Sequence, residues 1–147
     1  MIDDPFNLNR FVEAQKGEFE TALGELKDGR KQSHWIWFVF PQLTKLGRSS
    51  TACFFGLRGA DEAVAYWNHR VLGRRLRECV EAVLNIENKS AMDILGEVDA
   101  LKFRSCLTLF HEVAPEDSRL LLALQRFYEG ELDPLTVEFL REQPGVA

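Results

Sequence analysis

Lys31, Ser33 and His34 stand directly before the aromatic block Trp35-Ile36-Trp37-Phe38-Val39-Phe40, with Arg30 one residue upstream. Cations, a hydroxyl and an imidazole set against two indoles are the makings of a site for an anionic, partly apolar ligand. Arg30 and Lys31 would meet phosphate or carboxylate oxygens. Trp35 or Trp37 would stack a ring, and His34 is the candidate catalytic acid or base because imidazole is the side chain that titrates nearest neutrality. The same block is also a large apolar surface that any small domain buries, so core packing is the competing account.

A second set lies in Lys102-Phe103-Arg104-Ser105-Cys106-Leu107-Thr108. If this segment is helical, Leu101, Ser105 and Thr108 share one face with Leu109. The hydroxyls of Ser105 and Thr108 would then bond the carbonyls one turn back, or join Lys102 and Arg104 in donating to an anion. The second use requires this helix to pack near Lys31 and His34.

Charge distribution adds Arg74 to the candidates. From Arg30 to Arg77 there are nine Lys or Arg against Asp61 and Glu62, whereas from Glu78 onward six basic residues face fourteen acidic ones. A localised anion site fits that pattern. An extended nucleic-acid track, which needs a continuous basic stripe, does not. Arg70, Arg74 and Arg77 also suit a solvated helix face.

Other chemistries find little support. Cys53, Cys79 and Cys106 are widely spaced and form no Cys-x-x-Cys pair, and His34, His69 and His111 are dispersed, so neither a disulfide framework nor a metal site is expected. No cofactor is indicated. No apolar run reaches the ~20 residues of a membrane helix, and the start, Met1-Ile2-Asp3-Asp4-Pro5, is acidic where a signal peptide is basic. The expectation is a cytoplasmic protein without a membrane partner, its oligomeric state unread.

The elements that must position these residues are helices. Leu8, Phe11, Val12, Gln15, Phe19, Ala22, Leu23 and Leu26 predict one amphipathic helix stopped by Gly29. Ser33 is placed to cap a short helix through residues 34–40, and residues 41–59, with Pro41, Gly47, Gly56 and Gly59, read as an irregular central loop. Helices follow at 61–67 and 71–86, from Ser90 to Gly96, at 100–113 capped by Asp99, at 115–128, and from Asp133-Pro134 to about 142. A chain of 147 residues with no internal repeat or linker then reads as one all-α, compact multi-helix domain spanning 1–147.

The ordered segments Asp4-Pro5-Phe6-Asn7-Leu8-Asn9-Arg10-Phe11-Val12-Glu13-Ala14-Gln15, Gly29-Arg30-Lys31, Ser33 to Gln42, Leu72-Gly73-Arg74-Arg75-Leu76, Lys102-Phe103-Arg104-Ser105 and Thr108-Leu109-Phe110 resemble domain-of-unknown-function family 1810 over nearly the whole chain. The resemblance implies a small, mainly α-helical bacterial protein with no established activity. Members have been labelled calpastatin-like, a label that this aromatic-rich chain gives no reason to accept. Cys106 stands where a second Ser is expected, Leu107 where Met is, and His69-Arg70 where the family has His-Pro, which puts a rigid turn there in doubt.

No motif names a reaction. The functional reading is a binding or hydrolytic site for a small anionic, nucleotide-like metabolite, using Lys31, Ser33, His34, Trp35, Trp37, Arg74, Lys102, Ser105 and Thr108. The alternative is a non-enzymatic protein-protein interaction module. A concave pocket walled by His34 and Lys102 would favour the first, and a convex apolar patch the second.

Overall fold

Asp4 shapes the entry of the chain. Its carboxylate accepts the backbone N–H groups of Leu8 at 2.7 Å and Asn9 at 2.9 Å, supplying acceptors to donors that a first helical turn leaves open. In the computed structural model, which describes residues 3–143, this turn leads into α1 (Asn9–Gln15). The apolar spacing predicts one helix as far as Leu26, but the chain breaks at Gly17, with φ of 75°, and resumes as α2 (Glu18–Lys27). Glycine takes this left-handed conformation at little cost, so one apolar stripe serves two helices.

The remaining helices are α3 (Ile36–Val39), α4 (Ser50–Phe55), α5 (Ala60–Asn68), α6 (Leu72–Leu84), α7 (Ala91–Leu95), α8 (Glu97–Val113), α9 (Ser118–Tyr128) and α10 (Pro134–Glu142). Among the described residues there is no strand, only an isolated parallel bridge between Leu43 and Leu57. The fold is all-α. No described helix is long and apolar enough to cross a membrane.

Local chemistry explains most boundaries. Ser90 and Asp93 form a reciprocal capping box at α7, and Asp133 caps α10 with Pro134 in its first turn. Asp99 does not cap α8, which starts two residues earlier, and Ser33 does not cap α3, whose N-cap is Trp35. Both side chains are held by partners from elsewhere in the chain. The stretch 41–59 is more ordered than its glycines suggest: a 3-10 turn at Thr44–Leu46 leads to α4, whose N-cap Ser49 accepts the Ala52 N–H at 3.0 Å.

Packing centres on α6 and α8. Helix α6 lies against α2, α5 and α9, and α8 against α5, α7, α9 and α10. Aromatic pairs fill the core: Phe11 meets Tyr66 edge-to-face at 5.0 Å, while Tyr66 meets Phe110 at 5.6 Å and Phe40 meets Phe103 at 4.5 Å in tilted pairs. Such geometry adds to the area that these rings bury. Cys79 and Cys106 belong to this core, and burial pushes the Cys79 thiol up to about 12 and Cys106 well above its ordinary value, which disfavours a thiolate at either.

Helix α6 can approach α5 because residue 73 is glycine. A Cβ there would lie 2.0 Å from the Trp67 carbonyl oxygen. The turn between the two helices, placed in doubt by Arg70, is held by His69, whose Nδ1 accepts the N–H groups of Val71 and Leu72 at 3.1 Å.

Two buried polar groups tie the N-terminal helices to this frame. Arg10 donates to the carbonyls of Phe6, Asn7, Phe54 and Gly56 and to Glu62 at 2.8 Å. Gln15 donates to the Phe38 carbonyl at 2.6 Å and accepts from Arg75 at 3.2 Å. Every one of these donors has an acceptor, which is what makes a buried cation tolerable.

Candidate functional site

Lys31, Ser33 and Trp35 do come together, but around Glu25, an α2 residue with no signal of its own in the sequence. One Glu25 oxygen accepts the N–H groups of Gln32 (2.7 Å) and Ser33 (3.0 Å) and the Trp35 indole N–H (2.9 Å), while the other accepts the Ser33 hydroxyl. Burial alone would raise this carboxyl, but the hydrogen bonds from Ser33, Gln32 and Trp35 prevail and hold it at about 2, below its ordinary 4.5. Lys31 Nζ donates to the Ser33 carbonyl and pairs with Asp99 at 2.8 Å, its side chain only 7 % exposed.

This knot leaves nothing to offer a ligand. Lys31 is neutralised, the Ser33 hydroxyl is committed, and Trp35 is wholly buried, so no face is open for stacking. His34 takes no part in it and is exposed. Arg74 is also exposed, on α6, and lines neither the groove nor the Trp37 cavity. Thr108 is buried and committed, accepting the Asp133 N–H at 2.9 Å and donating to the Arg104 carbonyl at 2.8 Å.

The condition placed on the second set is met for Lys31 but not for His34, which lines neither the groove nor the cavity beside Lys102. Asp99 joins α8 to Lys31, and Lys102, one turn nearer the middle of α8, sits with its Nζ 5.3 Å from the centre of the Trp37 ring. Trp37 and Lys102 therefore meet, with Gln42, at the wall of a small cavity of about 10 Å³. That is room for about one water-sized group. The Trp37 indole N–H is buried and has no acceptor among the described residues.

From Gln42 and Lys102 the surface opens into a groove of about 440 Å³ between α8, α10 and the 3-10 turn, within the size range of metabolite sites. Val98, Leu101, Lys102 and Ser105 reach it from one stripe of α8 at i, i+3, i+4 and i+7. Arg48, Lys102 and Arg104 line it against one carboxylate, Asp133, an excess of two positive charges on a chain whose net charge is −5.

The floor is built. Asp133 accepts from Ser105 at 3.0 Å, from the Thr136 N–H at 3.3 Å and from the Thr136 hydroxyl, all on one oxygen. Its other oxygen is 3.7 Å from an Arg104 terminal nitrogen, a loose pairing that leaves the buried Arg104 Nε without an acceptor. Lys102 and Arg48 enter no ion pair among the described residues. An unpaired buried donor costs about 1–3 kcal/mol, so unspent donors beside a groove mark a place where binding can recover free energy. Of the nine candidates, Lys102, Ser105 and Trp37 belong here; Arg48, Gln42 and Asp133 were not singled out, and only the basic run at 30–77 hinted at Arg48.

Other concavities suit an anion less. The groove between α2 and α6, about 540 Å³, sets Asp28, Glu78, Glu81 and Glu87 against Lys27 and Lys89, and an anion there meets net repulsion. Among the described residues no cluster of His, Cys, Asp or Glu is arranged to hold a metal.

Fold and groove together define an all-α protein with a localised cationic, aliphatic-rimmed cleft. The chain belongs to DUF1810, a family described as proteins of unknown function, whose model it matches over residues 5–140. The structure is similar to that of the conserved hypothetical protein Rv1873 from Mycobacterium tuberculosis, with 41 % sequence identity and a TM-score of 0.94 over 95 % of this chain and 100 % of that one. No curated protein matches the chain.

Proposed function

We propose that this protein binds a small anionic metabolite in the groove between α8 and α10. The observation that carries the reading is Lys102: a half-buried cation, in no ion pair among the described residues, at the junction of the groove with the Trp37 cavity. Arg48 and Arg104 add charge, while Ser105 and Asp133 fix the orientation of the Arg104 side of the floor. Binding rather than hydrolysis is the better supported half of the expectation, because His34 does not line the groove.

The test is a titration of inorganic phosphate and simple carboxylates followed by calorimetry. Lys102→Gln should weaken binding about five- to tenfold, in line with one charge-assisted contact, without altering the melting temperature by more than a degree or two. Equal affinity in the variant sinks the proposal.

A second reading, a partner-binding surface, is favoured by the exposure of Val98 (64 %), Leu101 (58 %) and Leu135 (59 %) around the same groove. It predicts that the groove binds no small anion in a Lys102-dependent way.

A further inference from the structure

The groove has an apolar rim as specific as its charge. Leu101 and Val98 stand on the α8 side and Leu135 on the α10 side, and Leu46 joins them from the 3-10 turn. Three of these are among the most exposed large apolar side chains of the protein. They line the same groove as the three cations, so anionic and aliphatic ligand groups find complementary surface within one cleft.

The aromatic surface that a nucleobase would need is missing from this cleft. Trp35 is fully buried, Trp37 lines only the adjoining small cavity with Lys102 over its ring, and no ring lines the groove. Base stacking requires an open π face, whereas an alkyl chain requires only aliphatic area taken out of water.

Resting on the anion-binding reading, we propose that the ligand is an amphiphilic anion: a phosphate or carboxylate head held by Lys102, Arg104 and Arg48, with a short aliphatic tail laid against Leu101, Leu135 and Val98. The head supplies an acceptor to Lys102, which enters no ion pair among the described residues, and to the buried Arg104 Nε, which has none. The tail covers exposed leucines that the fold itself leaves in water. Each methylene so covered strengthens binding by up to about fourfold.

Calorimetric titrations of the full chain with inorganic phosphate, hexyl phosphate and adenosine monophosphate test this, each in wild type, Lys102→Gln, Leu101→Asn and Leu135→Asn. Because both leucines are exposed, the Asn variants keep the fold, checked by their melting curves. Expected is at least tenfold tighter binding of hexyl phosphate than of inorganic phosphate, with that advantage lost in either Asn variant and phosphate affinity retained. If the nucleotide outcompetes hexyl phosphate, or hexyl phosphate gains nothing over phosphate, the aliphatic assignment fails while a Lys102-dependent phosphate affinity still upholds the groove. If no anion binds, or binding ignores Lys102→Gln, the groove reading itself is overturned and the tail with it.

Discussion

The protein places a cation beside a tryptophan twice, with opposite outcomes. Lys31 lies 5.0 Å from the Trp35 ring centre and Lys102 lies 5.3 Å from that of Trp37. At the first, Asp99 and the Ser33 carbonyl take the ammonium donors, and Glu25 takes the hydroxyl, indole and backbone donors. At the second, Asp133 is spent on Ser105 and Thr136 and reaches only loosely toward Arg104, so Lys102 and the Trp37 N–H keep unspent capacity. The lesson is that a cation and a ring define a site only after the acceptors have been allotted. One region is a structural knot, the other an open groove with cations left unpaired, where we propose binding.

The largest expected effect comes from breaking the knot. Lys31→Met leaves Asp99 without its partner and should cost about 3 kcal/mol of stability, the scale for removing one member of a largely buried pair. Denaturant unfolding measures it, and phosphate affinity should be unchanged. A variant of wild-type stability that has lost anion binding would return the site to Lys31.

Next in size, Glu25→Ala strands the Trp35 indole and the Ser33 donors and should cost about 1–3 kcal/mol. The acid dependence carries a sign. Because the folded carboxyl is held at about 2 against an ordinary 4.5, its stabilisation is complete above 4.5 and fades as pH falls toward 2. The melting-temperature gap between wild type and Glu25→Ala should therefore be wide at about pH 6 and narrow toward about pH 3. A gap that stays constant would remove the carboxylate from the centre of the knot.

Smaller still is the stability cost at the groove. Lys102→Ala should lose about 1 kcal/mol, the value of a half-buried cation over a ring, while lowering anion affinity. That contrast with Lys31 is the sharpest form of the comparison. Arg74→Ala, at an exposed position on α6, should change stability by less than about 0.5 kcal/mol and leave anion affinity intact. A marked loss of affinity there would move the site to the α6 face.

Much of the fold was legible because its signals are local. The α10 start at Asp133-Pro134 and the Ser90 cap of α7 depend on residues within one turn. The break at Gly17 was missed because the apolar stripe continues across it, and a period reports which face is buried, not whether the helix is continuous. At the proposed site, Lys102, Ser105 and Trp37 are legible from residue type. His34, Lys31 and Trp35 drew attention for the same reason, yet their exposure, pairing and burial depend on Glu25 and Asp99, which are distant in sequence or unremarkable in it.

The sequence by itself determined that this chain is helical, that its aromatic residues supply the core and that positive charge is concentrated between Arg30 and Arg77, since propensity, period and composition are properties of neighbours and sums. Only the tertiary structure decided which cations are free. Pairing is a matter of a few ångströms between groups brought together by α2, α8 and α10, and the energy of a charge depends on that distance and on burial, neither of which sequence spacing contains.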